Sequence, residues 1–272
     1  MQKIIIIQSL YKNDNPEYLL KSMNSILCQT YHEFTYYIGI DGPIGDDLSQ
    51  ALYSFDSGRI KILENKENKG LAGILNDLLI ECEKGEYEYI VRMDSDDIAD
   101  PKRLKKQLAY LESHPEVDMV GGAINEIDEN GNNRGKITCY PCAPDDCRAF
   151  FAKRNPVAHP TVMFRRSFFE KAGWAYPTDF MRNEDTRLWH EGYMHGCVIA
   201  NIPDVVLNFR ITESMFTQRR NGKEFAKSQL ELRKLIKKDL GYGFMADAYA
   251  YAMCLLMISP SWILKLAYKV LR

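Results

Sequence analysis

Apolar positions in this 272-residue chain fall into two kinds of run that alternate. Ile4–Ile7, Phe34–Ile40, Arg59–Leu63 and Tyr89–Met93 are short and strand-like, and Ile4–Ile7 is an unbroken β-branched run, as expected of a strand covered on both faces. Between them Leu19, Leu20, Met23, Ile26 and Leu27, and later Leu71, Ile74, Leu75, Leu78, Leu79 and Cys82, recur at helical spacing. Asn15 before Pro16 is a helix-start signal, and the second helix stops near Gly85. This β-α-β-α-β alternation predicts an α/β fold with a parallel, doubly wound sheet and right-handed crossovers.

The pattern continues with a helix on Leu104, Leu108 and Leu111 that ends before Pro115, then a strand over Asp118–Ile124. Residues 125–150 read as a hairpin and loop of weak periodicity. A strand at His159–Phe164, a helix from Arg165 to Ala172 closed by Gly173, a helix opened by Asn183-Glu184-Asp185 and a last strand at Val205–Arg210 follow. A linker near Ser214–Gly222 leads to a basic helix ending about Leu240. Met245–Ile258 is apolar apart from Asp247, but Pro260 interrupts it and it is short for a bilayer span. Beyond Pro260, Lys265, Lys269 and Arg272 share one helical face, and Trp262, Leu266 and Val270 another. Such a helix can lie in a membrane interface, or pack on its own domain with its charges in water. Two coupled halves, 1–100 and 101–215, followed by basic C-terminal helices at 216–272, are the expected organisation.

Charge sharpens that division. The net charge is −2, yet from Arg219 onward eleven Lys/Arg stand against four Asp/Glu, a +7 tail on a −9 body. The tail calls for an anionic partner, lipid head groups or phosphates, and no nucleic-acid partner is expected. Met1-Gln-Lys runs directly into the first strand with no signal peptide, so reduced thiols and a cytoplasmic location are expected. Seven cysteines then need no pairing, and Cys139-Tyr-Pro-Cys142 with Cys147 lacks the second CxxC of a zinc site.

The candidate chemistry sits where the fourth apolar run stops. Asp94-Ser-Asp96-Asp97 places three carboxylates in four positions, where like charges raise one another's pKa and favour a hard divalent ion, Mg²⁺ or Mn²⁺. A polar turn, with Asp97 or Asp100 capping the next helix, is the plain alternative. A calcium loop of the EF-hand kind fits badly, because Ala99 and Lys105 stand where Gly and Glu are needed. Asp41-Gly ends the second strand on the same sheet edge, where α/β folds bind ligands. No GxGxxG or P-loop lysine motif is present. Glu184 and Asp185 either complement a helix dipole or do chemistry.

Taken in order, several segments resemble the family 2 glycosyltransferases, inverting enzymes of the GT-A fold found in polysaccharide and lipopolysaccharide assembly. They are Tyr11, Ser25–Tyr31, Asp41-Gly, Asn68-Lys-Gly70 with Asn76, Asp94-Ser-Asp96-Asp97, His159–Phe164 and Asn183-Glu-Asp185, over roughly residues 3–215. The resemblance implies a Rossmann-like, mixed but mostly parallel sheet flanked by helices, here with a C-terminal helical extension. Residues 1–100 would bind a nucleoside-diphosphate sugar and 101–215 the acceptor. Asp41 would accept from a uracil N3–H, Tyr11 would pack near the base, and Asn68, Gly70 and Asn76 would belong to the nucleotide pocket. Asp94 and Asp96 would serve the ribose side and a Mn²⁺ or Mg²⁺ ion, and Asp185 would be the catalytic base. Arg219 or Arg220 would pair with the diphosphate, or simply be solvated ahead of a basic helix, and His159 is either a positioned strand residue or an acceptor contact. A polyprenyl-diphosphate-linked saccharide at the inner leaflet suits the basic tail.

Other classes fit less well. A glycoside hydrolase leaves the strand-end Asp cluster unexplained. A sugar nucleotidyltransferase wants a glycine- and lysine/arginine-rich loop, which Ser9–Asn15 lacks. A non-catalytic sugar-nucleotide or lipid-binding module has no use for an acidic base.

Overall fold

The computed structural model describes residues 3–180, 182–213, 215, 222–260 and 263. In chain order the elements are β1 (Ile4–Leu10), α1 (Pro16–Leu27), β2 (Phe34–Ile40), α2 (Asp46–Tyr53), β3 (Ile60–Glu64), α3 (Gly70–Lys84), β4 (Tyr89–Met93) and β5 (Ile98–Ala99). They continue as α4 (Arg103–Ser113), β6 (Met119–Ile127), β7 (Asn133–Thr138), α5 (Pro144–Phe151), β8 (Met163–Arg165) and α6 (Arg166–Ala172). The chain then runs through α7 (Glu184–Met194), β9 (Ile199–Arg210), α8 (Lys223–Leu240) and α9 (Phe244–Met257). Among the described residues nine strands share one sheet in the order β3-β2-β1-β4-β8-β6-β9-β5, with β7 paired onto β6. β1 to β4 run parallel, whereas β8 is antiparallel to both of its neighbours. The sheet is therefore mixed and mostly parallel, as the family resemblance implies; its β1–β4 half is the parallel sheet that the alternation predicts.

β1 shows why its apolar run is unbroken. Ile4 and Ile6 pack with Leu19, Met23 and Ile26 of α1, while Ile5 and Ile7 pack with Leu75, Leu78 and Leu79 of α3. Successive side chains point to opposite faces, so a strand covered on both sides is apolar at every position. Gly39 lets α3 come this near β2, since a Cβ there would lie 2.7 Å from the Ile74 side chain. Asn15 caps α1 as expected, its Oδ1 accepting from the N–H of Glu17 at 2.8 Å and of Tyr18 at 3.3 Å.

Four stretches differ from their sequence pattern. α5 is a helix where a loop was expected, and α2 lies in a stretch for which the pattern gave no element; each buries only two or three side chains, too few for periodicity to register. β9 begins at Ile199 rather than Val205, because Pro203 and Asp204 occupy a shift in register against β6 that accommodates the missing proline N–H. His159–Phe164 is not one strand: a buried 3-10 turn, His159–Thr161, precedes the short β8. Among the described residues no helix is long and apolar enough to cross a membrane. Arg219, Arg220, Trp262, Lys265, Leu266, Lys269, Val270 and Arg272 lie outside the described residues.

Candidate functional site

Parallel pairing aligns the ends of three strands, for Leu10 pairs with Ile40 and Gln8 with Met93. Asp41 and Asp94 each follow their strand at that same edge, and the Asp41 N–H donates to Leu10 O at 2.8 Å. Asp41 is buried, and its carboxylate accepts from Asn68 Nδ2 at 2.9 Å and from the Lys69 N–H at 2.6 Å. Gly42, at φ 82°, permits this approach: a Cβ would stand 2.9 Å from Asn68 N. Two of the roughly four lone-pair directions of the carboxylate are taken, so it can accept a further donor. Gly70, at φ 75°, opens α3 directly after this loop.

Tyr11 follows β1 on the same edge. Its N–H donates to Asp14 Oδ2 at 2.9 Å, and Ser95 Oγ donates to that same oxygen at 2.9 Å, which stitches the Tyr11 loop to the acidic turn. Asn76 has a different task. Its Nδ2 donates to Tyr176 O at 3.0 Å and its Oδ1 accepts from Tyr176 N at 2.6 Å, so the amide ties α3 to the segment before α7.

Asp94, Asp96 and Asp97 can each point an oxygen into a common space, all within 4.8 Å of one another. Asp94 is ion-paired with Arg92, a side chain only 2% exposed near the end of β4. Asp97 is fully buried; Oδ1 accepts from the Arg210 N–H at 2.8 Å, and Oδ2 has no hydrogen-bond partner. Burial first, then the charges of Asp96 and Asp94, push the Asp97 carboxyl well above the ordinary carboxylate range. An orphaned buried carboxylate oxygen beside two more carboxylates fits a hard divalent cation with oxygen preference. Local capping accounts for Asp100, whose Oδ1 accepts from the Lys102 N–H at 3.0 Å, but not for Asp97. Arg210 braces the turn from β9, donating through Nε to Asp96 O at 2.8 Å while its guanidinium lies 4.0 Å from the Tyr18 ring centroid.

A second pair of carboxylates opens α7. Glu184 lies within electrostatic reach of both Arg92 and Asp94, and burial, then Asp185, push its carboxyl up to about 7. Asp185 accepts through Oδ2 from Asn155 Nδ2 at 3.1 Å, and through Oδ1 from the Thr186 N–H at 2.5 Å and Thr186 Oγ1 at 3.1 Å. His159 Nε2 sits 3.0 Å from Tyr176 OH, and burial and then Arg92 hold its imidazole well below its usual range. Glu184 and the acidic turn thus lie within electrostatic reach of each other. Sequence reasoning missed Arg92, Arg210 and Asn155, and took Asp97 no further than the cluster. A charged residue inside a run buried on both faces is a signal that marks Arg92; Asn155 and Arg210 carry none.

Residues 5–173 match the profile described as Glycosyl transferase family 2. The amylovoran biosynthesis glycosyltransferase AmsE of Erwinia amylovora is 33% identical over 85% of this chain and 84% of its own length. The UDP-Gal:alpha-D-GlcNAc-diphosphoundecaprenol beta-1,3-galactosyltransferase of Escherichia coli is 26% identical over 84% of this chain and 81% of its own. Among solved structures, S. aureus TarS 1–349 in complex with UDP-GlcNAc superposes with a TM-score of 0.66 at 17% identity, over 98% of this chain and 73% of that one. The mannosyltransferase PcManGT from Pyrobaculum calidifontis, in complex with GDP-Man and Mn²⁺, gives 0.64 at 16% identity, over 98% and 75%. Both share the fold described above.

Proposed function

The chain belongs to glycosyl transferase family 2 and is a glycosyltransferase of GT-A fold with relatives in polysaccharide biosynthesis; from that premise we propose that it is inverting and metal-dependent, and moves a sugar from a nucleoside diphosphate to a hydroxyl of a lipid-linked saccharide. The observation that supports this reading is the convergence of Asp94, Asp96 and Asp97 oxygens just beyond β4, with Glu184 within electrostatic reach of Asp94.

In this reading Asp41 accepts from the base, uridine being favoured, with Tyr11 against the ring and Asn68–Gly70 lining the pocket. Asn76 supports that pocket through the Tyr176 backbone. Asp94, oriented by Arg92, serves the ribose side, and Asp96 with the free oxygen of Asp97 would hold Mn²⁺ or Mg²⁺. The ion would supply Lewis-acid stabilisation of charge on the leaving diphosphate. Arg219 is assigned to the same diphosphate. Asp185 takes the proton of the attacking hydroxyl. One in-line displacement inverts the anomeric centre, so an α-linked donor yields a β-linked product. The sugar nucleotides in TarS and PcManGT, the Mn²⁺ in PcManGT, and the diphosphoundecaprenol acceptor named for the E. coli relative support these assignments.

A peripheral site on the cytoplasmic face of the inner membrane fits a lipid-linked acceptor. α9 exposes Phe244, Met245, Tyr251 and Leu255, Ile258 just beyond its end is exposed as well, and Lys234 of α8 lies 4.9 Å from the Tyr251 ring centroid. An apolar row edged by lysine suits an anionic leaflet, and flotation with anionic liposomes that weakens with salt checks it.

A screen of nucleoside-diphosphate sugars with Mn²⁺ or Mg²⁺, reading release of nucleoside diphosphate and the anomeric configuration of the product, tests the core of the proposal. Turnover lost to a chelator and an inverted product are expected. Turnover that ignores the chelator, or retention of configuration, would overturn it.

A further inference from the structure

We propose that α8 positions the catalytic carboxylate, with Arg233 acting on Asp185 through Asn155. The inference rests on the assignment of Asp185 as the group that takes the acceptor's proton. Arg233 comes from the C-terminal helical extension, beyond the stretch that matches the family profile. Its guanidinium donates through Nη1 to Phe151 O at 2.8 Å and through Nη2 to Asn155 Oδ1 at 2.9 Å. Asn155 in turn donates through Nδ2 to Asp185 Oδ2 at 3.1 Å, and the Thr186 hydroxyl lies 2.9 Å from that nitrogen.

The chemistry of the groups makes this a directed relay rather than a general packing contact. Guanidinium can only donate, so the Asn155 oxygen must face Arg233 and the amide nitrogen must face Asp185. An amide is otherwise free to turn over, and the opposite orientation would set its oxygen against a carboxylate. The fork of Arg233 is itself fixed, because its other arm is held by a backbone carbonyl at the end of α5 and the cation lies 5.4 Å from the Phe151 ring centroid. One turn earlier on the same face of α8, Gln229 Nε2 bonds Asn183 Oδ1, and Asn183 is the residue that opens α7. α8 therefore reaches the start of α7 directly through Gln229 and indirectly, by way of Asn155, through Arg233. Burial pushes the Arg233 guanidinium down to about 10, leaving it charged at neutral pH, and the charge of Asp185 is the largest influence opposing that fall. The cation of α8 and the carboxylate of α7 thus support each other across Asn155.

The test compares Arg233→Met, Arg233→Lys, Asn155→Ala and Asn155→Asp with the intact chain in metal-dependent transfer and in donor binding. Misplacing a catalytic group by about an ångström costs on the order of a hundredfold, so Arg233→Met is expected to lower kcat by roughly tenfold to a hundredfold with the donor KM within about twofold. Arg233→Lys keeps one donor and restores part of the loss. Asn155→Asp sets a second carboxylate beside Asp185 and moves the acid limb of the kcat–pH profile upward, an effect that simple loosening does not produce. A wild-type kcat and pH profile in Arg233→Met, with the intact enzyme active, would overturn the inference and leave the glycosyltransferase reading standing. If the intact enzyme fails to transfer, a crystal structure of Arg233→Met still decides the matter: Asp185 and Asn155 unmoved from their present orientations defeats the relay, and displacement of Asp185 supports it.

Discussion

The two acidic clusters of the site are held in different ways. Asp41 and Asp94 stand at the ends of two parallel strands that flank β1, and groups at that same sheet edge grip them: Arg92 two residues before Asp94, and the loop ahead of α3 for Asp41. Asp185 lies in the first turn of a helix; its neighbour Thr186 and the side chain of Asn155 hold it directly, with Arg233 of α8 behind Asn155. Strand pairing places a residue by register, so the first cluster inherits its geometry from the sheet. A helix N-terminus has no such ladder, and its carboxylates are only as well placed as the side chains that reach them. The site joins a donor side built by register to an acceptor side built by contact.

The sharpest way to break this division is Asp185→Asn. Transfer should fall by about a thousandfold, within the range of general-base removal, while donor affinity stays within about twofold; calorimetric titration beside turnover measures both, and equal loss of donor binding would erase the distinction. Asp96→Asn should do the opposite. Turnover should lose its response to Mn²⁺, and the metal-induced rise in Tm should vanish because one of three converging oxygens is gone. Arg92→Met probes how the strand-end cluster is balanced. It should cost about 2 kcal/mol in urea unfolding, below the usual figure for breaking a buried pair because Asp94 is 28% exposed, and Asp94→Asn in the same background should recover part.

The smallest effect separates the clusters by pH. The Glu184 carboxyl is raised to about 7 in the folded chain, so between the unfolded value and 7 the native state holds a proton that the unfolded state has released. Metal-free protein should therefore lose stability as pH rises through that window, on the order of 1 kcal/mol once solvent screening is allowed for. Glu184→Gln should flatten the profile, as thermal melts in a pH series would show. A slope unchanged in the variant would assign it to the Asp94–Asp97 turn.

Much of the donor side was legible in the sequence. The unbroken Ile4–Ile7 run, the Asn15-Pro16 start and the carboxylates at the ends of two strands are local signals, each read within one element and each found in place. Arg92 was visible but unread, a charge within an apolar strand. The helices α2 and α5 were missed because two or three buried side chains make no period. The start of β9 was missed because Pro203 reads as a break when it in fact occupies a bulge.

The sequence by itself determined the doubly wound core, the order of its elements and the sheet edge where carboxylates gather. Those follow from spacing along the chain, and spacing is what periodic burial writes into residues. Only the tertiary structure decided which groups hold those carboxylates: that Asp97 keeps a buried oxygen without a partner, that Asn76 serves Tyr176, and that a C-terminal arginine turns Asn155 toward Asp185. A hydrogen bond between distant residues needs only that the fold bring two atoms together in the right direction, and that meeting leaves no periodic trace in either neighbourhood.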